Sequence, residues 1–146
     1  MKTNTSTLIG TSVPNEDGPA LVTGRAKFTT DIVLPGMVHI KLVRSAFAHA
    51  RLLSVDADEA RALAGVVDVV LPSDIAGLPN VSTGPIRHMP LLAQGKGRYS
   101  GEPIAAVIAE SEAVAEAAAS LVVVEYEPLP VLLDPEQALA ASSSQI

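Results

Sequence analysis

Cysteine is absent from all 146 residues, and so is tryptophan. The first absence excludes a disulfide framework, a thiolate nucleophile, an iron–sulfur cluster and any cysteine-based zinc site held by this polypeptide. The second leaves four aromatic side chains, Phe28, Phe47, Tyr99 and Tyr126, too few for a platform on which bases stack. Positive charge is also scarce. Ten Lys and Arg against sixteen Asp and Glu give a formal net charge of -6, so no broad basic face neutralises phosphates and a nucleic-acid partner is not expected. Long apolar runs are missing too: the amino end, MKTNTSTLIG, lacks the continuous apolar stretch of a secretory signal, and the charge-free span Ile75 to Ile86 is interrupted by Gly, Pro, Asn and Ser. The chain therefore reads as cytoplasmic, with no membrane partner. What it does contain is aliphatic, 48% apolar residues dominated by Ala, Val and Leu, enough at this length for one compact core.

Residues 1–20 are polar and carry Gly10, Pro14, Gly18 and Pro19, a composition that orders chain without burying apolar area and predicts an extended arm. Residues 21–140 then alternate between strand and helix signals, and 141–146 (ASSSQI) read as a tail or linker. Pro35-Gly36 supplies a turn before Met37 to Arg44, where Val38, Ile40 and Leu42 alternate with His39, Lys41 and Val43 in the period of a half-buried strand. Leu52 to Asp56 and Val66 to Leu71 read as further strands, separated by a short helix over Ala57 to Leu63 that stops at Gly65. Between Pro72 and Gly97, four prolines with Gly77, Gly84, Gly95 and Gly97 predict a long surface excursion. Ile104 to Ala109 is a continuously apolar run, the pattern of a strand covered on both faces. Ser111 to Leu121 reads as the best helix, capped by Ser111; Val122 to Tyr126 as a strand; and Pro135 to Ala140 as a last helical turn capped by Asp134. The fold class is α+β, without the repeated βα units of a dinucleotide-binding sheet.

Chemistry-bearing patterns fail on context. Gly95-Lys96-Gly97-Arg98-Tyr99-Ser100-Gly101 is glycine-rich, yet a phosphate loop must follow a strand and open a helix, whereas here a proline-rich stretch precedes and a strand pattern follows. The histidines, His39, His49 and His88, have no carboxylate at a ligand spacing. Ser45 and Ser100 lack the nucleophile-elbow glycines. The paired acids at Asp56, Asp58 and Glu59 belong at a helix amino end, and Glu125 and Glu127 alternate as the solvent face of a strand does. One polar cluster stands out: Arg44 and Arg51 flank a turn that holds Ser45 and His49. Capping of that turn is its expected role.

The ordered blocks Val22-Thr23-Gly24-Arg25-Ala26-Lys27-Phe28, Leu34-Pro35-Gly36-Met37, Val43 to Arg51, Arg98 to Val107 and Tyr126-Glu127-Pro128-Leu129-Pro130 with Asp134-Pro135 form a pattern. The chain resembles the α/β hammerhead domain that opens the large subunit of molybdenum hydroxylases, the xanthine dehydrogenase, aldehyde oxidase and carbon monoxide dehydrogenase family. Ala46 stands where proline is usual, and Phe47 where His or Tyr is common. The resemblance implies mixed short strands, two or three short helices and a long Pro/Gly-rich loop. It also implies that this chain contributes a non-catalytic structural and interaction domain, with no catalytic, cofactor-binding or metal-binding residue of its own. Molybdopterin, iron–sulfur clusters and FAD or another electron acceptor would sit in the remainder of the large subunit and in an iron–sulfur subunit. The residues expected to face those partners are Arg44, Ser45, His49, Arg51, Tyr99, Gly101, Glu102 and Pro103. The alternative is a free-standing module that binds a protein, or a small ligand near Pro72 to Gly97.

Overall fold

The computed structural model describes residues 10–80 and 89–140. The first nine residues of the expected arm, the middle of the excursion with His88, and the expected tail at 141–146 lie outside the described residues. The chain divides into two units, Met1–Pro35 and Gly36–Ile146.

In the first unit, α1 (Gly18–Val22) runs across residue 20, so the last three residues of the expected extended arm are helical. Pro19 reads as a breaker but occupies the first turn, where its missing N–H has no intrahelical partner to lose. Gly24, at φ +67°, turns the chain so that Arg25 and Ala26 N–H groups both donate to Ala20 O, at 2.9 and 3.0 Å. A short 3-10 turn at Thr29–Asp31 follows, its Asp31 carboxylate accepting from Phe28 N–H at 2.9 Å.

The second unit follows the order β1 (His39–Arg44), β2 (Ala50–Asp56), α2 (Asp58–Ala62), β3 (Val66–Val70), β4 (Lys96–Gly97), β5 (Pro103–Ala109), α3 (Glu112–Leu121), β6 (Val123–Pro128) and α4 (Pro135–Ala138). Among the described residues the strands form two three-stranded antiparallel sheets, β1-β5-β3 and β4-β2-β6. Strand β5 is central because its residues are the most apolar; Ile104, Ala105, Val107 and Ala109 are completely buried. α2 and α3 cover one face of its sheet, where Ala57, Ala60, Val69, Val107 and Ala118 pack with Val43, Leu63 and Leu121. The alanines keep the helices thin enough to lie close to the strands. Ser111 Oγ accepts from Val114 N–H at 3.3 Å and Asp134 Oδ1 from Glu136 N–H at 2.8 Å, the two caps that the sequence predicts.

The structure settles one point that the sequence reading left open and corrects another. In β1 the covered side is that of Lys41 and Val43: Val43 joins the core and Lys41 Nζ meets Glu116 of α3 at 3.0 Å, whereas Ile40 is 63% exposed. The period marked two faces but not which one a helix would cover. The excursion from Pro72 to Gly97 is not wholly a surface loop either. Leu92 and Ala93 are buried, Ala93 N–H donates to Pro103 O at 2.7 Å, and β4 pairs with β2 through Ala50–Gly97 and Arg51–Lys96. Its last residues thus become an edge strand and carry the chain into β5.

Candidate functional site

The turn between β1 and β2 and the turn between β4 and β5 interlock. Ser45 N–H donates to Glu102 O and Gly101 N–H donates to Ser45 O, both at 2.8 Å, so each turn closes the other's backbone. Arg44 adds a third tie, its Nη1 donating to Gly101 O at 2.8 Å. Glu102 N–H reaches back to Tyr99 O at 3.2 Å, making Tyr99 to Glu102 a β-turn with Gly101 at its third position and φ +89°. A Cβ there would meet open space, so what glycine supplies is the left-handed backbone and not room. Gly97 is the opposite case: a Cβ would come to 3.1 Å from Ser45 Oγ.

Polar side chains at this junction are committed internally. Ser45 Oγ accepts from Phe47 N–H at 3.2 Å and donates to Phe47 O at 2.9 Å. The buried Glu102 carboxylate accepts from Arg98 N–H and, at 2.8 Å, from Arg98 Nη1. His49 is buried, its Nδ1 lies 2.6 Å from Pro130 O, and Leu129 N–H donates to His49 O at 3.0 Å. A carbonyl oxygen only accepts, so Nδ1 carries the proton. Arg51 sits in the open and pairs with Glu127 on the neighbouring strand at 3.0 Å. Tyr99 is exposed and Pro103 starts β5 half-buried.

The structure therefore brings Arg44, Ser45, Gly101, Glu102 and Pro103 together, holds His49 against the Pro130 segment, and places Arg51 on a strand pairing away from them. Sequence reasoning missed Arg98, the partner of Glu102. The signal was present as Arg98-Tyr99-Ser100-Gly101-Glu102, opposite charges four apart around a glycine turn. It also missed Val131 to Leu133, which together with Ala48, His49, Arg98, Tyr99 and Ser100 wall a cleft of ≈ 310 Å³.

The region raised for a small ligand holds a smaller cleft of ≈ 230 Å³ between Leu52 to Val55, Leu71 to Ser73, Ala93 and Gly95. Its two hydroxyls are already used, Ser54 Oγ donating to Glu125 at 2.8 Å and Ser73 Oγ to Asp74 at 3.3 Å. Among the described residues nothing charged lines it.

The family described as "Aldehyde oxidase and xanthine dehydrogenase, a/b hammerhead domain" matches residues 23–130. The chain belongs to this family. The hammerhead domain is 41% identical to the 6-hydroxypseudooxynicotine dehydrogenase complex subunit gamma of Paenarthrobacter nicotinovorans, over 93% of this chain and 18% of that protein. It is 37% identical to the xanthine dehydrogenase molybdenum-binding subunit of Escherichia coli O157:H7, over 89% of this chain and 18% of that one. Among solved structures, quinoline 2-oxidoreductase from Pseudomonas putida 86 superposes with a TM-score of 0.80 at 42% identity, covering 92% of this chain and 18% of its own. The hammerhead domain thus spans less than one fifth of the length of each of these relatives. Its two small antiparallel sheets and short helices are the α+β hammerhead architecture that the sequence implies. No helix among the described residues is long and apolar enough to cross a membrane.

Among the described residues nothing is arranged to hold an iron–sulfur cluster or a protein-ligated metal. The sequence has no cysteine, and among the described residues no three His, Asp or Glu side chains converge.

Proposed function

We propose that the chain, through residues 21–140, is a non-catalytic structural and interaction domain of a molybdenum hydroxylase, an oxidoreductase that hydroxylates aldehydes, N-heterocycles or related substrates. The observation that carries this reading is the internal commitment of the junction. The hydroxyl of Ser45 and the carboxylate of Glu102, the groups that bond-breaking would need, are bound to the chain's own backbone and to Arg98. A base or nucleophile must be free to exchange a proton with substrate, and these are not. Beside the exposed Arg44, the junction offers apolar side chains outward: Phe47, Tyr99, Val131 and Leu133 are all exposed. Such a surface suits docking.

In this reading molybdopterin, iron–sulfur clusters and FAD or another acceptor belong to the remaining large-subunit polypeptide and to an iron–sulfur subunit, in the cytoplasm. The names of relatives that act on a nicotine derivative, xanthine and quinoline support an N-heterocycle as substrate class. The test is native purification of the tagged chain from its source cell, followed by mass analysis of co-eluting polypeptides and by metal analysis. A molybdenum- and iron-containing assembly is expected. Turnover by the isolated chain after metal stripping would refute the reading.

A further inference from the structure

We propose that Arg61, Asp68 and Asp74 form a clasp that closes the outer edge of β3, so that the β1-β5-β3 sheet does not add the β3 strand of a second copy of the chain. β3 is an end strand of its sheet, and among the described residues it pairs with β5 alone. Its sequence, Val66-Val67-Asp68-Val69-Val70, is β-branched at four of five positions and reads the same in both directions. Two such strands laid antiparallel about Asp68 would set valine against valine at every other position. A strand of that composition on an open edge is a site of self-association. Only the middle pair, Asp68 against Asp68, opposes like charges.

The backbone of this edge is already taken. Along a strand, the N–H and C=O groups of residues two apart point to the same side. Val69 N–H donates to Asp68 Oδ1 at 2.7 Å, and Val69 O accepts from Arg61 Nη2, reaching over from α2, at 2.9 Å. Two residues on, Leu71 N–H donates to Asp74 Oδ2 at 2.7 Å and Leu71 O accepts from Asp74 N–H at 3.0 Å. These are the groups with which an incoming strand would pair, and each is satisfied within the chain. Arg61 and Asp74 face each other at 4.0 Å, which joins the two halves of the clasp. The register slip between Val66 and Asp68 makes Val67 an extra residue in β3, and a bulge of this kind bends an edge away from further pairing. Asp68 and Asp74 are exposed and the Arg61 side chain is 40% exposed, so the clasp lies at the surface where a second chain would arrive.

The test is analytical ultracentrifugation of the full chain carrying Asp68→Ala and Asp74→Ala together, with circular dichroism to confirm that it folds. The two substitutions free both N–H groups and remove no buried side chain. The weight-average mass should rise about twofold or more over that of the unsubstituted chain at the same concentration, since a symmetric pair of edges gives at least a dimer. Val67→Lys, added to the double variant at a site 58% exposed, should restore the original mass, because a lysine on an edge opposes strand addition. That reversal separates edge pairing from association of unfolded chain. Asp68→Asn keeps an oxygen for Val69 N–H and should shift the mass less than Asp68→Ala. An unchanged mass in the folded double variant overturns the clasp. So does association that Val67→Lys leaves in place, or an equal shift for Asp68→Asn and Asp68→Ala. Should the double variant fail to fold, Asp68→Ala alone, with and without Val67→Lys, decides on the same outcomes.

Discussion

Glu102→Gln is the most informative single substitution in the chain. The carboxylate side chain is 5% exposed and receives two donors from Arg98, the backbone N–H and Nη1 at 2.8 Å, while Arg98 remains 31% exposed. Glutamine keeps the shape but has one accepting oxygen; its NH₂ is turned toward a donor whichever way the amide lies. One charge-assisted hydrogen bond is therefore lost and a donor is left facing a donor. Breaking a buried pair by neutralising one member costs about 3–5 kcal/mol, and the partial solvation of Arg98 brings the expectation to about 2–3 kcal/mol. For a chain of this size each kcal/mol moves Tm by roughly 2–4 °C, so a fall of about 4–12 °C is expected. Urea denaturation followed by circular dichroism gives the free energy directly. Arg98→Met and the double variant complete a cycle whose coupling should exceed about 1 kcal/mol, because the two groups share their hydrogen bonds. A loss below 1 kcal/mol for Glu102→Gln, with additive effects in the double variant, would refute the account of this junction.

Gly101→Ala should cost about 1 kcal/mol from the positive φ alone, since the added methyl meets nothing within 4 Å; a larger loss measured by thermal denaturation would mean that the turn is crowded. Ser111→Ala removes the side-chain cap on Val114 N–H, with about 1 kcal/mol lost in urea and Ser111→Asp restoring most of it. Arg51→Ala should change stability by less than about 0.5 kcal/mol, because its pair with Glu127 lies in solvent with both side chains more than half exposed; a loss above 1 kcal/mol would contradict that.

Elements with a complete local signal were legible. Ser111 followed by Ala and Val at helical spacing gave α3 with its cap, and Ile104 to Ala109 gave the central strand β5, because capping and continuous apolarity act on the residues that show them. Interactions across sequence were not. Nothing within Leu92-Ala93 says that Ala93 will bond to Pro103, and nothing near His49 announces Pro130, eighty-one residues away. The turn residues Arg44 to Arg51 and Tyr99 to Pro103 were named, but their division into buried frame and exposed rim depends on which backbone groups each turn must satisfy. Arg98 went unseen because a pair at i and i+4 suggests a helix, and here the intervening Gly101 bends the chain instead.

The facing of β1 shows most clearly how tertiary context overrides pattern. By hydropathy Ile40 and Leu42 should turn toward the helices, with His39 and Lys41 outward, yet Lys41 bonds to α3 and Ile40 is 63% exposed. Register explains the outcome. Lys41 pairs with Val107 and Val43 with Ala105 on β5, so the side that α3 covers is chosen by β5 and the edge strand must follow. Lys41 tolerates the position because its side chain is 43% exposed and its amine pairs with Glu116 at 3.0 Å. Val107→Ala, at a site with no exposure, should then cost about 2–3 kcal/mol through lost burial and the cavity left behind, whereas Ile40→Ala should cost less than about 1 kcal/mol. Equal losses in urea denaturation would mean that the Ile40 face is covered within the isolated chain and that the assignment of the two faces is reversed.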